Sequence, residues 1–237
     1  MQFMTRTALI TGASSGIGRA VASRLLDQGY QVIGLSRTVD DSTFEHDRFT
    51  GFQADLSDLA ALPDRLSLLL KRFPIIDSAV FCAGQGLFGC LEEFSYGQLR
   101  SVMDLNFTSQ AYIARALVPM FKRNKKGDMV FIGSEAALSG SRKGTIYCAS
   151  KFALRGFTQA LRDECGKSGL RITLINPGMV KTSFFHGLSF THGESASHAI
   201  EPEDIAKLVS TVFEMRSATI LDEINLSPSS TVVRFKS

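Results

Sequence analysis

The stretch "TALITGASSGIGRAVASRLLDQG", residues 7–29, constrains the fold more than any other part of the chain. A strand-length apolar run passes into a turn with glycines at 12, 16 and 18, and the turn opens an amphipathic helix. Glycine at such places lets the backbone bend sharply and approach a pyrophosphate, while unpaired N–H groups at the helix start favour its negative charge. Gly29 follows a helical pattern that ends at Gln28, which predicts a left-handed helix cap before a second strand.

The alternation continues through "QVIGLS" (31–36), "GFQA" (51–54), "SAVFCA" (78–83), "DMVFIGS" (128–134), "RITLIN" (171–176) and "TILDEINL" (219–226), with helical patterns in the gaps. Near-continuous Val, Ile, Leu and Phe in strands separated by helices is what a parallel sheet covered on both faces requires. The expected fold is therefore α/β, Rossmann-like and doubly wound: a seven-stranded, mostly parallel sheet in a single domain over 1–237. Pro177 lacks the N–H a ladder needs and should end the sixth of these strands. Two long helices are predicted, Tyr96 to about Lys122 and Thr145 to about Ser168. Residues 179–200 mix aromatics, Gly and His without a period and are expected to be a mobile lid; 228–237 form a tail. His186, His192 and His198 have no metal-site spacing, so no metal is expected.

With 44% hydrophobic and 21% charged residues the chain can bury a core. A net charge of +3, evenly spread, argues against nucleic acid as a partner. The run Lys122–Lys126 is read as a solvated helix end, where cations favour the negative pole of the helix dipole. No apolar run is long enough to span a bilayer and no export pattern opens the chain, so a cytoplasmic protein without membrane contact is expected. Cys82, Cys90, Cys148 and Cys165 form no C-x-x-C pair and are read as reduced, packed thiols. The sequons at Asn106 and Asn225 fall inside periodic apolar segments and are discounted, as is "GKS" at Gly166, which lacks the earlier P-loop glycine.

Further motifs follow in order: "DLSD" from Asp55, "CAG" at 82–84, "MDLNFTS" with Asn106, "IGSEAA" with Ser134, "YCASK" with Tyr147 and Lys151, and "INPGMVKTS". Together with the G-x-x-x-G-x-G turn, they resemble the short-chain dehydrogenase/reductase superfamily over nearly the whole chain. The resemblance implies that Gly12, Ser14, Ser15, Gly16, Ile17 and Gly18 hold a dinucleotide pyrophosphate, and that Asp55 and Leu56 meet the adenine. Cys82, Ala83 and Gly84 would form the cofactor floor, with Cys82 where the family has Asn, which puts one local hydrogen bond in question. Pro177, Gly178, Val180 and Thr182 would meet the nicotinamide end, and Asn106, Ser134, Tyr147 and Lys151 would be catalytic.

Carbonyl reduction puts a hydride on carbon and a proton on oxygen, so it needs an acid aimed at that oxygen and groups that stabilise developing charge. Lys151 lies about 400° around and ~6 Å along the helix from Tyr147, hence on the same face. Its charge is expected to lower the phenol's pKa. Ser134 would hydrogen-bond the substrate oxygen; the resemblance gives Lys151 the nicotinamide ribose and Asn106 a water that relays protons. The second strand ends in Ser36 rather than an Asp that would repel a 2′-phosphate, and Arg37 follows with a forked donor set. NADPH is thus expected over NADH, although position 15 is Ser and not basic.

The expected substrate is a small carbonyl or alcohol, with Phe184, Phe185, Leu188, Phe190 and Leu138 as an apolar wall. Two alternatives stand beside it, a 3-oxoacyl thioester reductase and a catalytically silent NADP-binding sensor or scaffold. The two long helices are the family's usual dimer surface, which implies a homodimer or homotetramer.

Overall fold

The computed structural model describes residues 6–236. Its main sheet has seven strands in the order β3-β2-β1-β4-β5-β6-β8, each parallel to its neighbours. The strands are β1 (Thr7–Thr11), β2 (Gln31–Ser36), β3 (Phe49–Gln53), β4 (Ser78–Phe81), β5 (Gly127–Ile132), β6 (Leu170–Pro177) and β8 (Glu223–Leu226). Helices α1 (Gly16–Asp27) and α6 (Pro202–Glu214) cover one face; α2 (Leu62–Arg72), α4 (Ser109–Asn124) and α5 (Thr145–Cys165) cover the other. Val21, Leu25, Val209 and Phe213 fill the first interface, and Leu66, Leu117, Leu154 and Leu161 the second. Each such side chain stabilises the fold by roughly 1.5–3 kcal/mol through burial, so a charge at Leu25 would undo the α1 contact.

The chain runs outward from β1 to β3, then returns and continues from β4 on the opposite side. Strand order therefore reverses between β1 and β4, and the crevice beyond their C-terminal ends is where such sheets bind ligands. Thr11 ties the two strands there, its Oγ1 accepting from the N–H groups of Cys82 and Ala83 at 3.0 and 3.1 Å. At the other end of the sheet Asp128 accepts from Arg171 at 2.6 Å and Arg6 at 2.8 Å, locking β5 and β6 to the chain start.

Gly29 caps α1 at φ +86°, as the sequence predicted. Helix α4 ends within the basic run at Asn124, two residues beyond the expected end, with Lys125 left-handed at φ 49°. The long helix predicted from Tyr96 is not continuous. It divides into α3 (Tyr96–Met103) and α4, joined by a π-helical turn at Asp104–Thr108 that widens the ladder and re-aims Asn106.

The region 179–200, predicted as an aperiodic mobile lid, contains regular structure. A parallel bridge between Val180 and Ile200 closes its base, and β7 (Phe190–His192) pairs antiparallel with β9 (Val233–Phe235) from the tail. Each strand is only three residues long, and each is held as a strand by the other's hydrogen bonds. Among the described residues, no helix is long and apolar enough to cross a membrane.

Candidate functional site

A cleft of about 1320 Å³ opens at the β1/β4 reversal. Gly12, Ser14, Ser15, Gly16, Ile17, Gly18, Arg37, Asp55, Leu56, Cys82, Ala83 and Gly84 line one stretch of it. Ser134, Tyr147, Lys151, Pro177, Gly178, Val180 and Thr182 line the rest. Of the sequence-predicted residues only Asn106 lies behind the wall, fully buried.

The glycine turn has the shape its sequence requires. Gly12 and Gly16 are left-handed at φ +68° and +52°, and a Cβ on Gly18 would lie 2.3 Å from the Gly12 carbonyl oxygen. A Cβ on Gly16 would meet Thr182 Cγ2 at 3.2 Å, so the turn and the start of the lid nearly touch. Ser15 caps α1 with extended backbone but no side-chain hydrogen bond, leaving the first-turn N–H groups to an anion in the cleft. Beyond the turn, Ser36 Oγ is buried without a partner, and Arg37 makes no hydrogen bond or ion pair among the described residues. Ser57 bonds Asp55 through its hydroxyl at 2.6 Å and its N–H at 2.9 Å, and these bonds, aided by the Arg37 charge, hold the Asp55 carboxyl below its usual range. An orphaned hydroxyl, a free guanidinium and a turn whose glycines leave no room for side chains at 12, 16 and 18 together fit a phosphorylated dinucleotide.

Asn106 acts through its neighbours. Its Oδ1 accepts from Gln85 N–H at 2.8 Å, and its Nδ2 donates to Gln85 O at 2.9 Å and Ser150 Oγ at 3.0 Å. Ser150 Oγ in turn donates to the Tyr147 carbonyl at 2.7 Å. The π turn is thereby fastened to the helix that carries Tyr147 and Lys151. Lys151 donates from Nζ to the Ile132 carbonyl at 3.0 Å, leaving two further N–H groups for the cleft. Ser134 Oγ accepts from Ala136 N–H at 3.1 Å, and its hydroxyl lies beside the Tyr147 phenol, to which it can donate.

Burial governs the titration of these groups. It pulls the Lys151 ammonium down to about 8, with the nearby Cys82 opposing, and pushes the Cys82 thiol up to about 12. It likewise pushes the Tyr147 phenol up to about 12; Ser134 favours the phenolate, while Cys148 and Glu135 disfavour it. The expectation that Lys151 lowers the Tyr147 pKa is therefore corrected: the Lys151 ammonium is 5.9 Å from the Tyr147 ring centroid and bonded elsewhere, and desolvation dominates. The Cys82–Gly84 stretch is held by Thr11, which accepts from the N–H groups of Cys82 and Ala83, and by Gln110, whose Nε2 donates to Ala83 O at 3.0 Å.

The cleft around Tyr147 contains residues that the sequence reading missed. Phe88 packs on Tyr147 at 5.0 Å and on Phe190 at 4.9 Å, while Phe184 meets Tyr147 from another side at 5.8 Å. Phe185 lines the same wall, and Leu138 is exposed. Arg142, Lys143, Val233, Phe235 and Lys236 also reach the cleft. A lone Phe in a glycine-rich loop carries no periodic signal, and the alternation at 233–235 is too short to mark a strand without its partner.

A family model described as short chain dehydrogenase matches residues 6–191. An uncharacterized oxidoreductase of Staphylococcus aureus is 27% identical over 228 residues, covering 94% of this chain and 97% of that protein. One from Staphylococcus epidermidis is 27% identical over 227 residues, with the same coverage. Among solved structures, serine dehydrogenase from Escherichia coli superposes with a TM-score of 0.77 at 26% identity, covering 92% of this chain and 96% of that one. An alcohol dehydrogenase from Thermococcus sibiricus complexed with 5-hydroxy-NADP has a TM-score of 0.83 at 24% identity, covering 94% and 96%, which bears on the fold alone.

Proposed function

The chain belongs to the short-chain dehydrogenase family, and on that premise we propose that it is an NADP(H)-dependent oxidoreductase acting on a ketone or aldehyde and the matching secondary alcohol. The observation that carries the reading is that Ser134, Tyr147 and Lys151 share one cleft with the glycine turn. When bound, the nicotinamide supplies or accepts the hydride. Tyr147, neutral at physiological pH, donates its phenolic proton to the carbonyl oxygen. Ser134 donates a hydrogen bond to the same oxygen and lowers the cost of charge building there. Lys151 would hold the nicotinamide ribose hydroxyls, and the N–H groups at the start of α1 the pyrophosphate. The free Arg37 guanidinium and the orphaned Ser36 hydroxyl support a preference for the 2′-phosphate of NADPH. A metagenomic short-chain oxidoreductase solved in complex with NADP, 25% identical with a TM-score of 0.80, supports the binding of a nicotinamide cofactor in this cleft.

The test is NADPH oxidation, followed by absorbance, across ketones, aldehydes, sugars and acyl thioesters, for the wild type and Tyr147→Phe. Binding of NADPH without turnover of any member would favour a sensor or scaffold, and full activity in Tyr147→Phe would remove the phenol from the chemistry. Arg37→Ala should weaken NADPH far more than NADH; an equal loss would exclude Arg37 as the phosphate reader. A second reading, reduction of a carrier-bound 3-oxoacyl thioester, is favoured by Arg142 and Lys143, exposed cations at the cleft that make no ion pair among the described residues. Turnover of acyl thioesters at least tenfold above free ketones would select it. A homodimer through α4 and α5, which expose Tyr112 and Phe152, completes the proposal.

A further inference from the structure

Resting on the oxidoreductase reading, we propose that the C-terminal strand β9 is a specificity element, and that Val233 and Phe235 bind the apolar body of a carbonyl substrate at least two fused rings in extent. In an antiparallel pair, directly opposed residues share a face. Phe190 is opposite Phe235 and His192 opposite Val233, so the β7–β9 ribbon presents Phe190, Val233 and Phe235 together. All three line the cleft that holds Tyr147, while Arg234 points the other way to Glu194.

These side chains are not spent on packing. Phe235 is 76% exposed and Val233 48%, and both border the concave cleft. Apolar side chains left open inside a cleft are the usual mark of a ligand's apolar part. The wall is continuous with the chemistry: Tyr147 to Phe88 is 5.0 Å and Phe88 to Phe190 is 4.9 Å, so the ribbon begins two ring spacings from the phenol. A small ketone at Tyr147 would leave Phe235 uncovered, whereas a bicyclic one would reach it.

The ribbon is also anchored. Lys236 N–H donates to Ser189 O at 2.8 Å, Gly193 N–H to Val232 O at 3.0 Å, and Lys236 Nζ to the carbonyl oxygens of Phe185 and His186. Tail and lid thus hold each other over the cleft. β9 lies beyond the residues matched by the family model, 6–191.

The experiment compares 2-acetylnaphthalene with acetone for the wild type, Phe235→Ala and Val233→Ser, each exposed enough to be substituted without unfolding. For 2-acetylnaphthalene, kcat/KM should fall about tenfold or more in Phe235→Ala, while acetone turnover and the KM for NADPH change less than about twofold. Equal losses for both ketones, or none for either, overturn the proposal. So does a change in sedimentation of Phe235→Ala with an unaltered substrate ratio, which would make the strand an interface between copies. If no carbonyl is turned over, the oxidoreductase reading fails, and calorimetric binding of 2-acetylnaphthalene still tests the wall: tenfold weaker binding by Phe235→Ala supports it, and equal affinity overturns it.

Discussion

Replacing Asn106 with Ala tests whether the π turn positions the catalytic helix. The side chain is fully buried and makes three hydrogen bonds, two to Gln85 backbone atoms and one to Ser150 Oγ. At about 0.5–1.5 kcal/mol net for each bond, with partners left unpaired in the interior, the loss should be about 2–4 kcal/mol. That is below the roughly 5–15 kcal/mol total of a typical domain, so the variant should still fold. The chain has no Trp, so urea unfolding is best followed by far-ultraviolet circular dichroism. Asn106 does not line the cleft, and its effect passes through Ser150 to Tyr147 and through the Gln85 backbone, which does line it. Accordingly kcat should fall at least tenfold while the KM for NADPH moves less than threefold. A stability loss under about 1 kcal/mol by the same hydrogen-bond reckoning, or a KM change equal to the kcat change, would refute the coupling.

Gly18→Ala places a methyl 2.3 Å from a backbone oxygen of the glycine turn, which must then move. NADPH affinity, measured by fluorescence titration, should drop at least tenfold, and wild-type affinity would show that the turn is not the cradle. Lys151→Met addresses a folding cost. Because burial lowers the folded pKa of Lys151 to about 8, the unfolded chain binds more protons between about 8 and the usual lysine value. The penalty is full below pH 8 and is relieved as pH rises through that window. Wild-type urea midpoints should thus carry a stabilising component over pH 8 to 10 that Lys151→Met lacks, and parallel profiles would contradict the burial argument.

The seven strands were legible because a sheet covered on both faces leaves polar residues few places in its interior strands, so each strand appears as an unbroken apolar run. The cofactor residues were legible for a related reason: turns that approach a phosphate exclude side chains, and glycine spacing records that exclusion. Asn106 could be located, but its π turn could not, since "MDLNFTS" has ordinary helical composition and the extra residue is accommodated by the Gln85 and Ser150 contacts. Strand β9 was missed because three alternating residues gain their hydrogen bonds only from a lid strand about forty positions earlier. Phe88 gave no signal, because its role depends on two rings brought in from α5 and β7.

Titration in the site is set by burial, which no spacing rule encodes, and it decides the direction in which the proposed chemistry is easy. A phenol with a pKa of about 12 is fully protonated at pH 7, the form that donates to a carbonyl oxygen. Alcohol oxidation needs the phenolate, present in the free protein at only about one part in 10⁵ at that pH. The two directions should therefore respond differently to pH. Reduction should hold a steady kcat/KM from pH 6 to 8, whereas kcat/KM for alcohol oxidation should rise about tenfold per unit from pH 7 to 9, because kcat/KM reports groups of the free enzyme. Lys151, at about 8, sharpens the reading: its loss of charge bends any profile that depends on the ammonium near pH 8, a unit-scale break distinct from the continuous rise assigned to Tyr147. An oxidation profile flat from pH 7 to 9 would mean that Tyr147 ionises well below the value its burial dictates, and that the charge on Lys151 reaches the phenol after all.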